Sequence, residues 1–157
     1  MPLSLTFARL PQVPLTEILT HMNDPRLAEH MPLLTSKWGV PQARQFVASK
    51  EACWARDGLG HWAFYADDHY VGWGGFQREG DDWDFGLVLR PERFGLGPRI
   101  ARQALAVARS EPHIPYVTFL LPPSRRNLSA LRRIGAEFVG DVDYNGELFR
   151  KYRLETA

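Results

Sequence analysis

At 157 residues and 45% hydrophobic content, the chain has the length for one globular domain spanning 1–157, large enough to bury about 70% of its unfolded surface. No apolar run reaches the roughly 18 residues of a membrane span, and "MPLSLTFARLPQ" lacks the basic start and apolar core of a secretory leader, so we expect a cytoplasmic protein with no membrane partner. A net charge of +1 argues against a nucleic-acid partner, and a single cysteine, Cys53, excludes an internal disulfide and any cysteine-cluster metal site.

In chain order, "LSLTFARL" alternates as a strand does, and "PLTEILTHMNDP" then sets Leu15, Ile18 and Leu19 on one helical stripe that Asp24-Pro25 ends. "EHMPLLTSKWGV" has no sustained period and predicts a loop, with Trp38 turned toward a ligand. "PQARQFVASKEACWARDG" predicts a helix with Pro41 in its first turn, Phe46, Val47, Cys53 and Trp54 at helical intervals, and Gly58 as its stop. Cys53 reads there as a core thiol and not as a nucleophile.

The period then changes to two. "HWAFYADDHYVGWGGFQ" predicts strands near 61–66 and 70–77 around a tight Asp67-Asp68 turn, and "REGDD" turns into a third strand, "WDFGLVLR". Gly72, Gly74 and Gly75 weaken a strand unless a backbone or a ligand must come close. Next come a helix to about Ser110, a continuous apolar strand "IPYVTFLLPP", a helix "SRRNLSALRRIG" with Ser124 as N-cap and Gly135 as C-cap, and a terminal hairpin turning at Asn145-Gly146. A strand–helix–strand unit joined to an antiparallel meander predicts an α/β (α+β) fold: a mixed, mainly antiparallel sheet of about seven strands with helices on both faces.

Between residues 90 and 135, nine arginines face only Glu92 and Glu111, a local balance of +7 that suits a compact anion. The stretch opens "VLRPERFGLGPRIARQ", where Gly95 and Gly97 permit positive backbone angles and close approach to the main chain at the positive end of a helix dipole, a place that binds phosphate. It is neither a P-loop, which needs Gly-Lys-Ser/Thr, nor a dinucleotide fingerprint, which needs a third glycine where Ile100 stands.

From "HWAFYADDHYVGWGGFQ" to "RIGAEFVG", the order of elements resembles the GNAT acetyltransferase superfamily, especially its RimJ/RimL-like branch. The motifs that carry the resemblance are Leu87-Val88-Leu89, Pro91, Phe94 and Gly95-Leu96-Gly97, then Ser124, Asn127 and Gly135-Ala136; "DPRLAEHMP" matches that branch's opening. Phe94 stands where Trp, Gln or Arg is usual, Arg99 where Gly or Ala closes the loop, Ser124 in place of the Asn that touches the pantetheine arm, with Asn127 one turn on as its substitute, and Leu131 in place of a tyrosine acid.

The resemblance implies direct acetyl transfer from acetyl-CoA, as co-substrate, to a primary amine such as a protein N-terminus or a small amine. The pantetheine would pair with the main chain of Leu87, Val88 and Leu89, an unpaired N–H of Val88 or Leu89 would meet the thioester oxygen, and the Arg93–Gly97 loop would hold the pyrophosphate. Arg93, Arg99 or Arg102 would meet the 3′-phosphate. Strand alternation puts Asp84, Gly86 and Val88 on one face, so Asp84 is the expected base, with Glu79 in reserve. Trp38 and Trp73 are the expected acceptor-pocket walls, and Tyr144 and Tyr152 can approach from the terminal hairpin. Histidines 21, 30, 61, 69 and 113 lack metal-ligand spacing, and no metal is expected. The alternative is a non-catalytic acyl-CoA-binding regulatory module, and the assembly is a monomer or a homodimer.

Overall fold

The computed structural model describes residues 3–31, 34, 36–125 and 128–156. Strand β1 (Leu5–Arg9) leads through a short 3-10 turn to helices α1 (Leu15–Met22), α2 (Pro25–Ala28) and α3 (Val40–Asp57). Strands β2 (His61–Ala66), β3 (His69–Glu79) and β4 (Asp82–Leu89) form the meander; α4 (Gly97–Arg109), β5 (Tyr116–Leu121), α5 (Ser129–Ile134), β6 (Glu137–Tyr144) and β7 (Glu147–Glu155) follow. The seven strands lie in one sheet ordered β1-β2-β3-β4-β5-β7-β6, antiparallel except for the β4–β5 pair.

Local chemistry accounts for the boundaries. Gly39 precedes α3 and donates its N–H to Gln42 Oε1 at 2.9 Å, and Gly58 closes the helix at φ 78°, a left-handed cap that glycine adopts without a Cβ penalty. Two of the three hairpin turns have positive φ at both central residues, Asp67 (48°) and Asp68 (66°), then Asn145 (52°) and Gly146 (84°), and the third, between β3 and β4, has it at Gly80 (61°), as the twist of the flanking strands requires.

Alternation divides the sheet into two faces. Trp62, Phe64, Phe76, Trp83, Phe85 and Leu89 pack with Ile100, Ala104, Leu105 and Ala108 of α4, whereas Ala63, Tyr70 and Trp73 pack with Ile18 and Met22 of α1 and Ala43 and Phe46 of α3. Both faces are covered by helices. α2, which falls between the predicted first helix and the predicted loop, is a single turn started by Asp24, whose Oδ1 accepts from Arg26 N–H at 2.9 Å. One turn is too short to leave a periodic signal. Among the described residues no helix is long and apolar enough to cross a membrane.

Candidate active site

β4 pairs with β3 along its whole length, from Gly72↔Leu89 to Glu79↔Asp82. β4 and β5 pair only at Asp84↔Thr118 and Phe85↔Phe119; beyond them β5 stays with β7 while β4 keeps to β3. The two strands therefore part, and one edge of Gly86–Leu89 is left without a strand partner. The Gly86 and Val88 carbonyls lie against Gly74 and Gly72 of β3. Because peptide groups alternate sides along a strand, those of Leu87 and Leu89 face the open edge. Val88 therefore turns its own amide toward β3, and the expectation of an unpaired N–H narrows to Leu89, with Leu87 beside it.

Asp84 sits at the apex of this opening. Thr118 Oγ1 donates to its Oδ1 at 2.9 Å. Burial pushes the Asp84 carboxyl up from 3.8 to about 7, Thr118 drawing it down, Glu79 and Asp82 adding repulsion and Lys151 opposing them. The neighbouring carboxylates are held in pairs: Asp82 accepts from Lys151 and from the Tyr116 hydroxyl (2.8 Å), and Glu79 Oε1 accepts from Tyr144 OH at 3.0 Å and from Gln77 Nε2 at 2.9 Å. Tyr144 thus comes over from the terminal hairpin to Glu79. Tyr152 packs instead into the core on the α4 face. A Cβ built on Gly86, two residues beyond Asp84 on the same face, meets nothing within 4 Å. Open space lies there beside a carboxyl that exchanges its proton near neutrality.

The loop after β4 departs from expectation in its backbone. Pro91–Leu96 is a 3-10 turn, kinked at Arg93 (φ −120°), with Arg93 N–H bonded to Arg90 O at 2.8 Å and Gly97 N–H to Phe94 O. Gly97 has φ −52° and Gly95 is not among the positive-φ residues, so neither glycine uses the left-handed region; the 3-10 turn winds into α4 with ordinary right-handed angles. A Cβ at Gly95 meets nothing within 4 Å, so the free space there is not required by the fold. Phe94 is 42% exposed and meets the edge of His30 at 5.1 Å, while Leu96 packs on the α4-side core. Arg99 donates from Nη2 to the Leu3 carbonyl at 2.7 Å. Arg93 and Arg102 have no carboxylate partner among the described residues.

Three further expectations are corrected or left open. Ser124 does not cap a helix: Arg125 N–H closes a turn on Pro122 O at 3.0 Å, and α5 begins only at Ser129 after Leu128. Asn127 lies outside the described residues. Trp73 is buried, its Nε1 on Met22 Sδ at 3.3 Å and its ring against Phe46, so it is a core residue and not an open wall. Trp38 packs on Phe46, its N–H held by Asn23 Oδ1 at 2.7 Å.

No protein-family model matches the sequence, and neither does any curated protein. Solved structures do match in shape. RimL, a ribosomal alpha-N-protein acetyltransferase solved in complex with coenzyme A, superposes with a TM-score of 0.75 at 18% identity, covering 98% of this chain and 93% of its own. An acetyltransferase of the GNAT family from Bacillus anthracis gives 0.70 at 15%, covering 98% and 93%. The aminoglycoside acetyltransferase AAC(6′)-Ib in complex with coenzyme A gives 0.74 at 13%, covering 98% and 95%. The chain has the GNAT acetyltransferase fold.

Within that GNAT fold, the structure brings Asp84, Gly86, Leu87 and Leu89 to one opening and sets the loop from Arg93 to Gly97 at the end of the same strand. Sequence reasoning missed Thr118, Lys50 and Gln77, which share the Asp84 face. Thr118, the one small polar residue in "YVTFLL", carried a signal; Lys50 did not, because its contact with Gln77 joins residues 27 positions apart. An open groove of about 570 Å³ on the outer side of α3, lined by residues including Pro11, Leu15, Val47 and Ala52, lies on another surface, and its Glu51 is taken up by Arg9.

Proposed function

We propose that this protein is an N-acetyltransferase that moves an acetyl group from acetyl-CoA to a primary amine by direct attack in a ternary complex. The observation that carries the proposal is the parting of β4 and β5 after Phe85, with the raised carboxyl of Asp84 at the apex of the opening and the unpaired edge of Gly86–Leu89 running on from it. Neighbours of the same fold were solved with coenzyme A, and that likeness supports the same co-substrate here.

In this scheme the pantetheine amides extend the sheet along Leu87 and Leu89, and the Leu89 N–H stabilises charge on the thioester oxygen. Asp84, whose carboxyl is raised toward neutrality by burial, takes a proton from the bound ammonium, directly or through one water. The neutral amine then attacks the thioester carbon, the C–S bond breaks, and the thiolate leaves as coenzyme A. Leu131 is buried and offers no acid to the leaving sulfur, so that proton comes from solvent or from the amine itself. Phe94 to Gly97 receive the pyrophosphate, and Arg93 and Arg102 supply mobile positive charge to the 3′-phosphate.

Calorimetry with acetyl-CoA, followed by thiol release with a panel of amines and N-terminal peptides, tests the proposal. Heat of binding together with amine-dependent thiol release is the expected result. No heat of binding overturns it, and binding without release to any amine leaves the regulatory-module alternative.

A further inference from the structure

Lys50 reaches down from α3 onto the Asp84 face of the sheet. Its Nζ donates to Gln77 Oε1 at 3.0 Å and stands 5.5 Å from the Trp73 ring centroid. No carboxylate lies within ion-pair distance of it among the described residues; the one that influences it, Glu79, is exposed and already accepts from Gln77 and Tyr144. Burial lowers the Lys50 pKa. An ammonium taken from water without a counter-ion is costly, and core packing does not require one: a methionine would fill the space between α3 and Trp73.

The position of this charge relative to Asp84 is set by the sheet. Gln77 and Asp84 are directly paired across β3 and β4, which puts their Cβ atoms about 5 Å apart. The next pair on the same face is Gly75 and Gly86, bare backbone on both strands. The row continues on β2 as His61, buried and with no hydrogen bond from Nδ1. The open space over Gly86, an ammonium without a counter-ion on one side and a proton-accepting carboxyl on the other make a slot for a small molecule bearing charges of both signs.

We propose that the acceptor amine belongs to an amino acid whose carboxylate binds the Lys50 ammonium while its own ammonium delivers a proton to Asp84. This rests on the acetyl transfer proposed above and names the substrate class for it. Lys50 still has donors to spare after its bond to Gln77, and the carboxylate would supply the missing counter-ion. Plain alkylamines and polyamines lack that group, and a second cation would be repelled by Lys50.

The test compares each standard l-amino acid, and β-alanine, with its carboxamide and its decarboxylated amine, at matched concentrations of free amine. The wild type should favour the acid over the amide by about 10-fold in kcat/KM, chiefly through KM, as expected for one charge-assisted contact. Lys50→Met should bring the acid-to-amide ratio to near one, and Lys50→Arg should restore part of it. A purely structural lysine would lower both activities together and leave the ratio alone. Tryptophan fluorescence, with Trp73 beside Lys50, gives a second readout of amino-acid binding, with and without coenzyme A. An equal response to acid and amide in the wild type, in both assays, overturns the proposal. Should acetyl-CoA itself fail to bind, the transfer reaction falls, while an amino-acid-dependent fluorescence change abolished in Lys50→Met would still establish the carboxylate site.

Discussion

Two regions of this chain are rich in glycine, and they need it for opposite reasons. In β3, a Cβ on Gly72 would lie 2.5 Å from Val88 O, on Gly74 2.4 Å from Gly86 O and on Gly75 2.3 Å from Gly60 O. Gly72 and Gly75 also have φ of 156° and 144°, a region essentially closed to other residues. In the loop after β4, a Cβ on Gly95 meets nothing, and one on Gly97 makes only ordinary contact with Leu87 and Leu89 at 3.6 and 3.9 Å. The meander glycines are required by folding. The loop glycines are spare as far as the fold is concerned, and a ligand is what would use the room they leave.

The largest effect is expected in the meander. Gly75→Ala combines a forbidden backbone angle with a clash against the main chain of β2, and should cost about 3 kcal/mol or more, read from the urea midpoint. A loss under about 1 kcal/mol would show that β2 can step aside and that the two regions do not differ in kind.

Asp84 sharpens the contrast, because it is a residue the fold carries at a cost. Its folded pKa of about 7 lies above the unfolded 3.8, so between those values the folded chain holds a proton that the unfolded chain releases, and stability falls as pH rises. The loss totals at most about 4 kcal/mol and is complete just above pH 7. Asp84→Asn removes this term and keeps the Thr118 hydroxyl as donor. The variant should melt higher than wild type at pH 8 and equally at pH 4, while turnover drops about 100-fold at pH 7 and less at pH 9, where more amine is already neutral. A variant that melts lower at pH 8, or loses the same activity at both pH values, takes the base assignment away from Asp84.

The strands and their hairpins were legible because strand alternation and the Asp-Asp and Asn-Gly turns are local signals, as are the helical stripes, and each agrees with the tertiary packing. Asp84 was legible on the same ground: alternation alone puts it on the face of Gly86 and Val88. What was not legible depends on contacts between distant positions. Arg99 is drawn to the Leu3 carbonyl 96 residues away, Tyr144 to Glu79 across 65, and Thr118 to Asp84 across 34. Ser124 misled for a local reason, since the Pro122 turn absorbs it before any helix starts. The loop glycines misled more instructively: a Gly-x-Gly motif suggests unusual backbone angles, but here the missing side chain matters for the space it leaves.

Gly95→Ala isolates that space. With negative φ and no neighbour within 4 Å of the new methyl, its stability should stay within about 0.5 kcal/mol of wild type, while acetyl-CoA affinity by calorimetry drops about 10-fold as the methyl keeps the pyrophosphate off the backbone. Unchanged affinity would mean that the diphosphate lies elsewhere and that Gly95 is merely tolerated.

The smallest effect concerns the arginines around the same loop, which differ in how far they are already engaged. The Arg99 side chain is bonded to Leu3 O, whereas the guanidinium groups of Arg93 and Arg102 have no hydrogen-bond or ion-pair partner among the described residues and can move to a phosphate without breaking one. Removing either of the latter pair should weaken acetyl-CoA binding about 3-fold at low salt and less at high salt, because an exposed charge is screened within a Debye length of about 10 Å at 0.1 M. The discriminating ligand is dephospho-CoA, which keeps the pyrophosphate and lacks the 3′-phosphate. If Arg93 or Arg102 meets that phosphate, its alanine variant should bind coenzyme A and dephospho-CoA alike, where the wild type prefers coenzyme A. If Arg99→Ala alone erases the preference, the bond to Leu3 O is given up on binding, and the guanidinium fixed by the fold is also the one that holds the ligand.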